Sequence, residues 1–230
     1  MVQVLEIYSS KQGEGIWTGE SSVFVRFLGC HLHCRYCDTA YARDNDDEMG
    51  AELTPEEITG RVLLYSLPHV VLTGGEPMLS PEMIELTKLL KEHCCQITIE
   101  TSGTIYQPVI CDLMSISPKL RSTVPLDADS STIREHDRKR SKPEVVQQLI
   151  SQYNYQLKFV VDTEDDLREV EEYLTHLHGI APSKVLLMPQ AVDVETMSYK
   201  ATWIEPFCES KGYQYCPRMQ LVWYGNKRRT

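Results

Sequence analysis

The sequence predicts an α/β fold, a parallel sheet with helices packed outside it. Short apolar runs of strand character recur at residues 22–28, 69–72, 96–100, 111–116, 156–161 and 185–188. Segments with helical spacing of apolar residues separate many of them, so strand and helix alternate. The glycine-rich and polar motifs fall just after the runs, where parallel α/β folds place their sites. The pattern holds about six βα units, too few for a closed eight-fold barrel. A chain of 230 residues suits one domain, spanning 1–230.

The first strand is read at 2–8, where apolar and polar residues alternate. A turn-rich loop with two glycines follows, Ser9 to Gly15. The run at 22–28 is apolar except for Arg26. An arginine there either snorkels at an edge or aims its fork at a carboxylate. Residues 44–52 are acidic and polar and read as a surface loop. Thr54-Pro55-Glu56-Glu57 has capping-box spacing with proline at the first helical position, which predicts a helix to about residue 66. The strand at 69–72 is of the buried type and ends in Thr73-Gly74-Gly75-Glu76-Pro77. Ser80-Pro81 opens a helix with Met83, Leu86 and Leu90 at helical spacing. The strands at 96–100 and 111–116 end at Glu100-Thr101-Ser102-Gly103 and Ser117-Pro118-Lys119.

Residues 120–141 break the pattern, being long, polar and rich in both charge signs. They read as a loop insertion, mobile or lid-like, with His136 in solvent. A helix at 143–152 leads to the strand at 156–161, where Lys158 is either a snorkelling residue or a site residue. Thr163 caps a helix carrying Leu167, Val170, Leu174 and Leu177, with His176 and His178 suited to its dipole. The strand at 185–188 runs into Met188-Pro189-Gln190-Ala191. A helix over 195–210 stops at Gly212, and 213–224 reads as a final strand before Gly225-Asn226-Lys227-Arg228.

Hydrophobic content of 42% and charged content of 24% are those of a soluble globule. A net charge of −10 argues against binding a polyanion, so nucleic acid is not an expected partner. The basic stretch Lys227-Arg228-Arg229 reads as a solvated tail. No apolar run approaches the ~20 residues needed to cross a bilayer, and the first residues lack signal-peptide features. Eight cysteines in such a chain read as reduced, cytoplasmic thiols.

The densest chemistry is Cys30-His31-Leu32-His33-Cys34-Arg35-Tyr36-Cys37-Asp38-Thr39, with cysteines spaced C-x3-C-x2-C. Clustered thiolates are soft-metal ligands. In one reading, Cys30, Cys34 and Cys37 hold three corners of a [4Fe–4S] cluster and leave one iron open. In the other, they join His31 or His33 in a structural zinc site. Structural zinc usually draws on two separated ligand pairs, and no second pair is present: Cys94 and Cys95 are adjacent, and Cys111, Cys208 and Cys216 are scattered.

C-x3-C-x2-C resembles the signature of radical S-adenosylmethionine (SAM) enzymes, and Thr73-Gly74-Gly75-Glu76-Pro77 resembles a second segment of that superfamily. The Gln12-Gly13-Glu14-Gly15 piece and the Trp223-to-Arg228 ending narrow the resemblance to the 7-carboxy-7-deazaguanine synthases, from about Tyr8 to Asn226. The resemblance implies an open, partial barrel of the radical SAM type. It implies substrate contacts from Lys11, Gln12, Gly13, Glu14, Arg26, Thr73 and Gln220. It implies a magnesium ion on Thr39, and SAM contacts from Tyr36, Gly75, Glu76, Ser117, Pro118, Lys119, Met188, Pro189, Gln190 and Ala191. Two departures stand out. Ser102 replaces an asparagine in the family's Glu-Thr-Asn-Gly-like segment. Gln220 stands where the family often has a histidine, and glutamine cannot carry a proton at neutral pH.

The implied reaction converts 6-carboxy-5,6,7,8-tetrahydropterin to 7-carboxy-7-deazaguanine and ammonia, with SAM regenerated as a cofactor. An unidentified flavodoxin- or ferredoxin-like reductase would supply electrons, and a homodimer is the family expectation. Two rivals are another radical SAM enzyme, such as a glycyl-radical-enzyme activase, and a zinc-stabilised binding module.

Overall fold

The computed structural model describes residues 1–44 and 50–229. In chain order the elements are β1 (Val2–Lys11), β2 (Ser21–Phe27), α1 (Ala40–Asp44), β3 (Ala51–Leu53), α2 (Pro55–Leu63), β4 (His69–Gly74), α3 (Met83–Glu92), β5 (Gln96–Thr101) and β6 (Leu113–Ile116). They continue with α4 (Ser130–Arg140), α5 (Pro143–Gln152), β7 (Tyr155–Val161), α6 (Glu164–Leu174), β8 (Val185–Pro189), α7 (Val194–Lys211), β9 (Gln214–Tyr215) and α8 (Met219–Tyr224).

All strands join one sheet in the order β3-β1-β2-β4-β5-β6-β7-β8-β9. From β2 to β9 every neighbouring pair is parallel, and β1 alone runs against its neighbours. The sheet does not close on itself, which is the expected partial barrel. The six apolar runs give β2, β4, β5, β6, β7 and β8. Their side chains on one face, such as Val25, Leu72, Ile99, Met114, Leu157 and Leu187, are fully buried in the main core. One crossover lacks a helix: β5 reaches β6 through irregular chain.

Local signals placed several boundaries well. Thr54 and Glu57 form the capping box, with Glu57 N–H donating to Thr54 Oγ1 at 3.3 Å and Thr54 N–H to Glu57 Oε2 at 2.8 Å. Gly212 ends α7 at φ +71°, a left-handed position natural to glycine.

Four expectations are corrected. Residues 130–140 form helix α4, capped by Asp129, instead of a mobile loop. His136 is buried at 1% exposure instead of solvated. Half of 213–224 is helical, in α8, with only Gln214–Tyr215 in a strand. Arg228 and Arg229 are not a free solvated tail, because both pair with Glu6. The surface loop expected at 44–52 lies largely outside the described residues, and its end forms β3.

Candidate active site

The face of the sheet turned away from that core carries a row of polar side chains. Arg26 on β2 lies in register with Thr73 on β4, Glu100 on β5 with Ser115 on β6, and Ser115 with Gln156 on β7. Thr73 Oγ1 donates to Glu100 Oε2 at 2.7 Å, and Gln156 Nε2 to Ser115 Oγ at 2.8 Å. Side chains alternate faces along a strand, so polar residues two apart or in register across neighbouring strands land on the same side. The result is a polar belt across five strands, facing a cleft.

The Gln12–Gly15 loop crosses this face. It leaves β1 near the start of β2, since Lys11 pairs with Ser21. Gln12 Nε2 donates to Glu100 Oε1 at 3.1 Å, Gly15 N–H reaches Cys216 Sγ at 3.2 Å, and Ile16 N–H donates to Gln156 Oε1 at 3.0 Å. The loop thereby ties β1 to the β7–β9 end of the open sheet. The close passage requires glycine: a Cβ on Gly13 would stand 2.9 Å from Gln220 N, and Gly15 has φ +78° with Gln156 against it.

Glu14 is the electrostatic centre. Its Oε2 pairs with the buried Lys158 ammonium. Its Oε1 accepts from Gln220 Nε2 at 2.7 Å and Arg218 Nε at 3.3 Å. Burial pushes the carboxyl up, but the Lys158 and Arg218 cations outweigh it and hold the group at about 2. Burial opposes the Lys158 charge, yet the Glu14 and Glu100 carboxylates raise its pKa above the usual lysine range. Arg218 also donates to Asp38 Oδ2 at 2.5 Å and to the Ala191 carbonyl at 2.6 Å. Arg26 donates to Glu6 Oε1 at 2.7 Å and to the Tyr8 hydroxyl at 2.8 Å. It is thus a held fork, not a snorkelling edge residue.

The cysteine loop follows β2 and packs on the end of β4. Gly75 N–H donates to the Phe27 carbonyl at 3.1 Å and Glu76 N–H to the Gly29 carbonyl at 2.9 Å. A Cβ on Gly75 would lie 1.9 Å from the Gly29 carbonyl oxygen, and Gly74 has φ +127°. The glycine pair is therefore what lets the two segments touch. Cys30, Cys34 and Cys37 are free and half-buried. Burial pushes the Cys30 thiol up to about 12 and the Cys34 thiol to about 11, and the Cys37 sulfur nearby adds to both. Such thiols stay protonated at neutral pH unless a bound metal displaces the proton. Thr39 Oγ1 donates to the Gly74 carbonyl at 3.4 Å and lies 3.7 Å from Cys37 Sγ.

One cleft gathers most of the expected residues: Lys11, Gln12, Gly13, Glu14, Arg26, Thr39, Thr73, Gly75, Ser117, Lys119, Met188 and Gln220 all line it. Tyr36, Glu76, Pro118, Pro189, Gln190 and Ala191 are not among its lining residues. The Glu76 carboxylate is engaged elsewhere, accepting from Met78 N–H, Thr101 Oγ1, Ser102 N–H and Ser102 Oγ at 2.5–3.1 Å. Tyr36 turns its hydroxyl to Ser122 Oγ at 2.7 Å. The Gln190 carbonyl accepts from Lys200 at 2.7 Å. Sequence reasoning passed over Arg218, which fell inside the strand expected at 213–224. It gave Glu100 no role of its own, although a carboxylate closing an apolar run was a usable signal.

The cleft is cationic in an acidic chain. Its lining holds Lys11, Arg26, Lys119, Lys158, Arg218, Lys227, Arg228 and Arg229 against Glu14, Asp38 and Glu100, eight cations to three anions, where the chain totals −10. Such an inversion attracts anionic ligands.

Residues 24–163 match the model of the radical SAM superfamily. The 7-carboxy-7-deazaguanine synthase of Rhodopirellula baltica is 42% identical over 99% of this chain and 88% of its own length. The chain belongs to the 7-carboxy-7-deazaguanine synthase family of the radical SAM superfamily. The synthase of Halobacterium salinarum is 32% identical, over 98% of this chain and 91% of its own. The crystal structure of QueE from Escherichia coli shares the fold, with a TM-score of 0.71 at 22% identity, covering 95% of this chain and 94% of that one.

Membership in the radical SAM superfamily gives the chain a [4Fe–4S] cluster and SAM as cofactors. The chemistry of the donor set fits a cluster, with three thiols within eight residues of one loop, although among the described residues no three His, Cys, Asp or Glu side chains stand grouped as metal ligands. Among the described residues, no helix is long and apolar enough to cross a membrane.

Proposed function

We propose that the chain converts 6-carboxy-5,6,7,8-tetrahydropterin to 7-carboxy-7-deazaguanine and ammonia by radical ring contraction, in 7-deazapurine (queuosine-type) biosynthesis. One observation carries this reading. The residues expected to hold the pterin and several of those expected to hold SAM line the same cleft, and the Gly74-Gly75 pair joins that cleft to the cysteine loop.

Cys30, Cys34 and Cys37 would hold the cluster. When bound, the cluster and SAM would supply the radical chemistry of the reaction. The remaining tasks fall to the chain. Glu14 is an ionised acceptor, suited to the paired N–H edge of a 2-amino-4-oxo ring. Gln220 turns its Nε2 toward Glu14 and keeps a buried Oε1 without a partner among the described residues, a second acceptor for that edge. Arg26, locked by Glu6 and Tyr8, presents its fork to the substrate carboxylate. Lys119, held by Ser117 Oγ at 2.9 Å, faces the carboxylate of SAM. Thr39 gives one hydroxyl oxygen to Mg²⁺, which takes few protein ligands and shares the rest with substrate and water. Asp38, already bound by Arg218, keeps its charge on the protein. A flavodoxin- or ferredoxin-like reductase, a homodimeric assembly and a reducing cytoplasm complete the proposal.

The test is anaerobic reconstitution followed by incubation with SAM, Mg²⁺, a low-potential reductant and the carboxypterin. The deazaguanine and ammonia are the expected products. A four-iron protein that cleaves SAM but leaves this pterin intact overturns the substrate assignment. Thr39→Ala should raise the Mg²⁺ concentration needed for half-maximal rate.

A further inference from the structure

The 120–140 segment has no place in the chemistry above, yet it touches the cysteine loop at three points around Cys34. His33 N–H donates to His136 Nδ1 at 3.1 Å. Arg35 N–H donates to the Thr123 carbonyl at 2.8 Å. The Tyr36 hydroxyl lies 2.7 Å from Ser122 Oγ. The two amides flanking Cys34 therefore both find acceptors in this segment.

The donors and acceptors form an ordered chain. Thr123 Oγ1 donates to the Leu120 carbonyl at 2.6 Å, so its one proton is used. It can then only accept from His136 Nε2, 3.1 Å away. That fixes the ring as Nε2–H, leaving Nδ1 as the lone pair that His33 N–H requires. The ring is neutral and buried, and burial holds its pKa at about 4. Helix α4 is anchored in turn by Arg140, which is buried and donates to the Lys119 carbonyl at 2.9 Å and to Glu169 at 3.1 Å.

We propose that the 120–140 segment is a splint for the cluster loop, with His136 and Thr123 as positioning residues that hold the backbone on either side of Cys34 ready for the iron–sulfur cluster. The proposal rests on the assignment of Cys30, Cys34 and Cys37 as ligands. A buried acceptor that sets a ligand's backbone acts on the metal through geometry, and loss of such outer contacts typically costs 10–100-fold in metal affinity.

The test reads iron and acid-labile sulfide per chain after anaerobic reconstitution, and the rate at which a chelator strips the cluster. His136→Ala and Thr123→Val should keep their circular dichroism spectra yet lose the cluster on the order of 10-fold faster. Ser122→Ala should show a smaller effect, and Arg134→Ala, on the exposed side of α4, none. Should His136→Ala fail to fold, Thr123→Val and Ser122→Ala decide the matter. Folded Thr123→Val and Ser122→Ala proteins with full iron and wild-type chelator resistance overturn the splint. A wild-type protein that takes up no iron refutes the ligand assignment instead. If those variants keep the cluster but raise KM for the pterin, the segment is a lid and the splint is wrong.

Discussion

Glu14 sits between two cations that burial alone would disfavour. Removing one partner of such a set leaves a charge stranded, at a cost of about 3–5 kcal/mol. Lys158→Met should therefore lower stability by about that amount in urea unfolding, and the Glu14→Gln, Lys158→Met double variant by less than the sum. Glu14→Gln alone should raise KM for the carboxypterin by at least ~10-fold, because a bidentate acceptor becomes half donor. Among the described residues, the cleft lining contains no histidine. Glu14 ionises near 2 and Lys158 above the ordinary lysine range. The pH profile of kcat/KM should then be flat between about pH 6 and 8, and Gln220→His should add a limb near the histidine pKa of about 6.5. A histidine-like limb in the unsubstituted enzyme would contradict this reading of the site.

At the level of single elements, two glycines make opposite predictions. Gly75→Ala drives a Cβ into the Gly29 carbonyl at 1.9 Å, backbone against backbone. Thermal melts should show a loss of about 1–3 kcal/mol, and iron uptake should fall as the cysteine loop shifts. Gly60 lies inside α2 with nothing near its absent Cβ, so Gly60→Ala should stabilise by about 0.5–1 kcal/mol. The same contrast explains what the sequence could and could not reveal. The six parallel strands were legible because each is an apolar run. The cleft was legible where a lone polar residue broke such a run, as at Arg26, whereas Thr73, just past the run at 69–72, was marked only by the family resemblance. Helix α4 was not legible, because its buried positions are His136 and Arg140, four residues apart, and no apolar stripe marks the packed face. Helix α8 was hidden because Met219–Tyr224 is short and apolar, and such a run does not distinguish strand from helix. Arg218 lies in irregular chain before α8, inside the stretch read as a strand, and was given no role there.

For the molecule as a whole, acid should be the weak flank. His69 and His136 both have pKa values lowered by burial to about 4, against about 6.5 when unfolded. The unfolded chain binds more protons in that window, so stability falls as pH drops from about 6.5 to 4. Glu14, held at about 2, contributes stability that is lost as pH falls below its unfolded value of about 4.5 toward 2. A melting temperature that declines in two stages, the first absent in a His69→Gln variant to roughly half its extent, is the expected record. A profile level down to pH 4 would refute it.

The cysteine loop leaves one end of β2 and the Gln12–Gly15 loop joins the other, so the length of this strand sets the separation of the two loops. Its length is Ser21–Phe27, at about 3.3 Å per residue. One residue added within it would lengthen the gap by that step and turn Arg26 to the opposite side of the sheet. The strand between the two loops can therefore neither gain nor lose a unit without displacing Arg26 from the cleft.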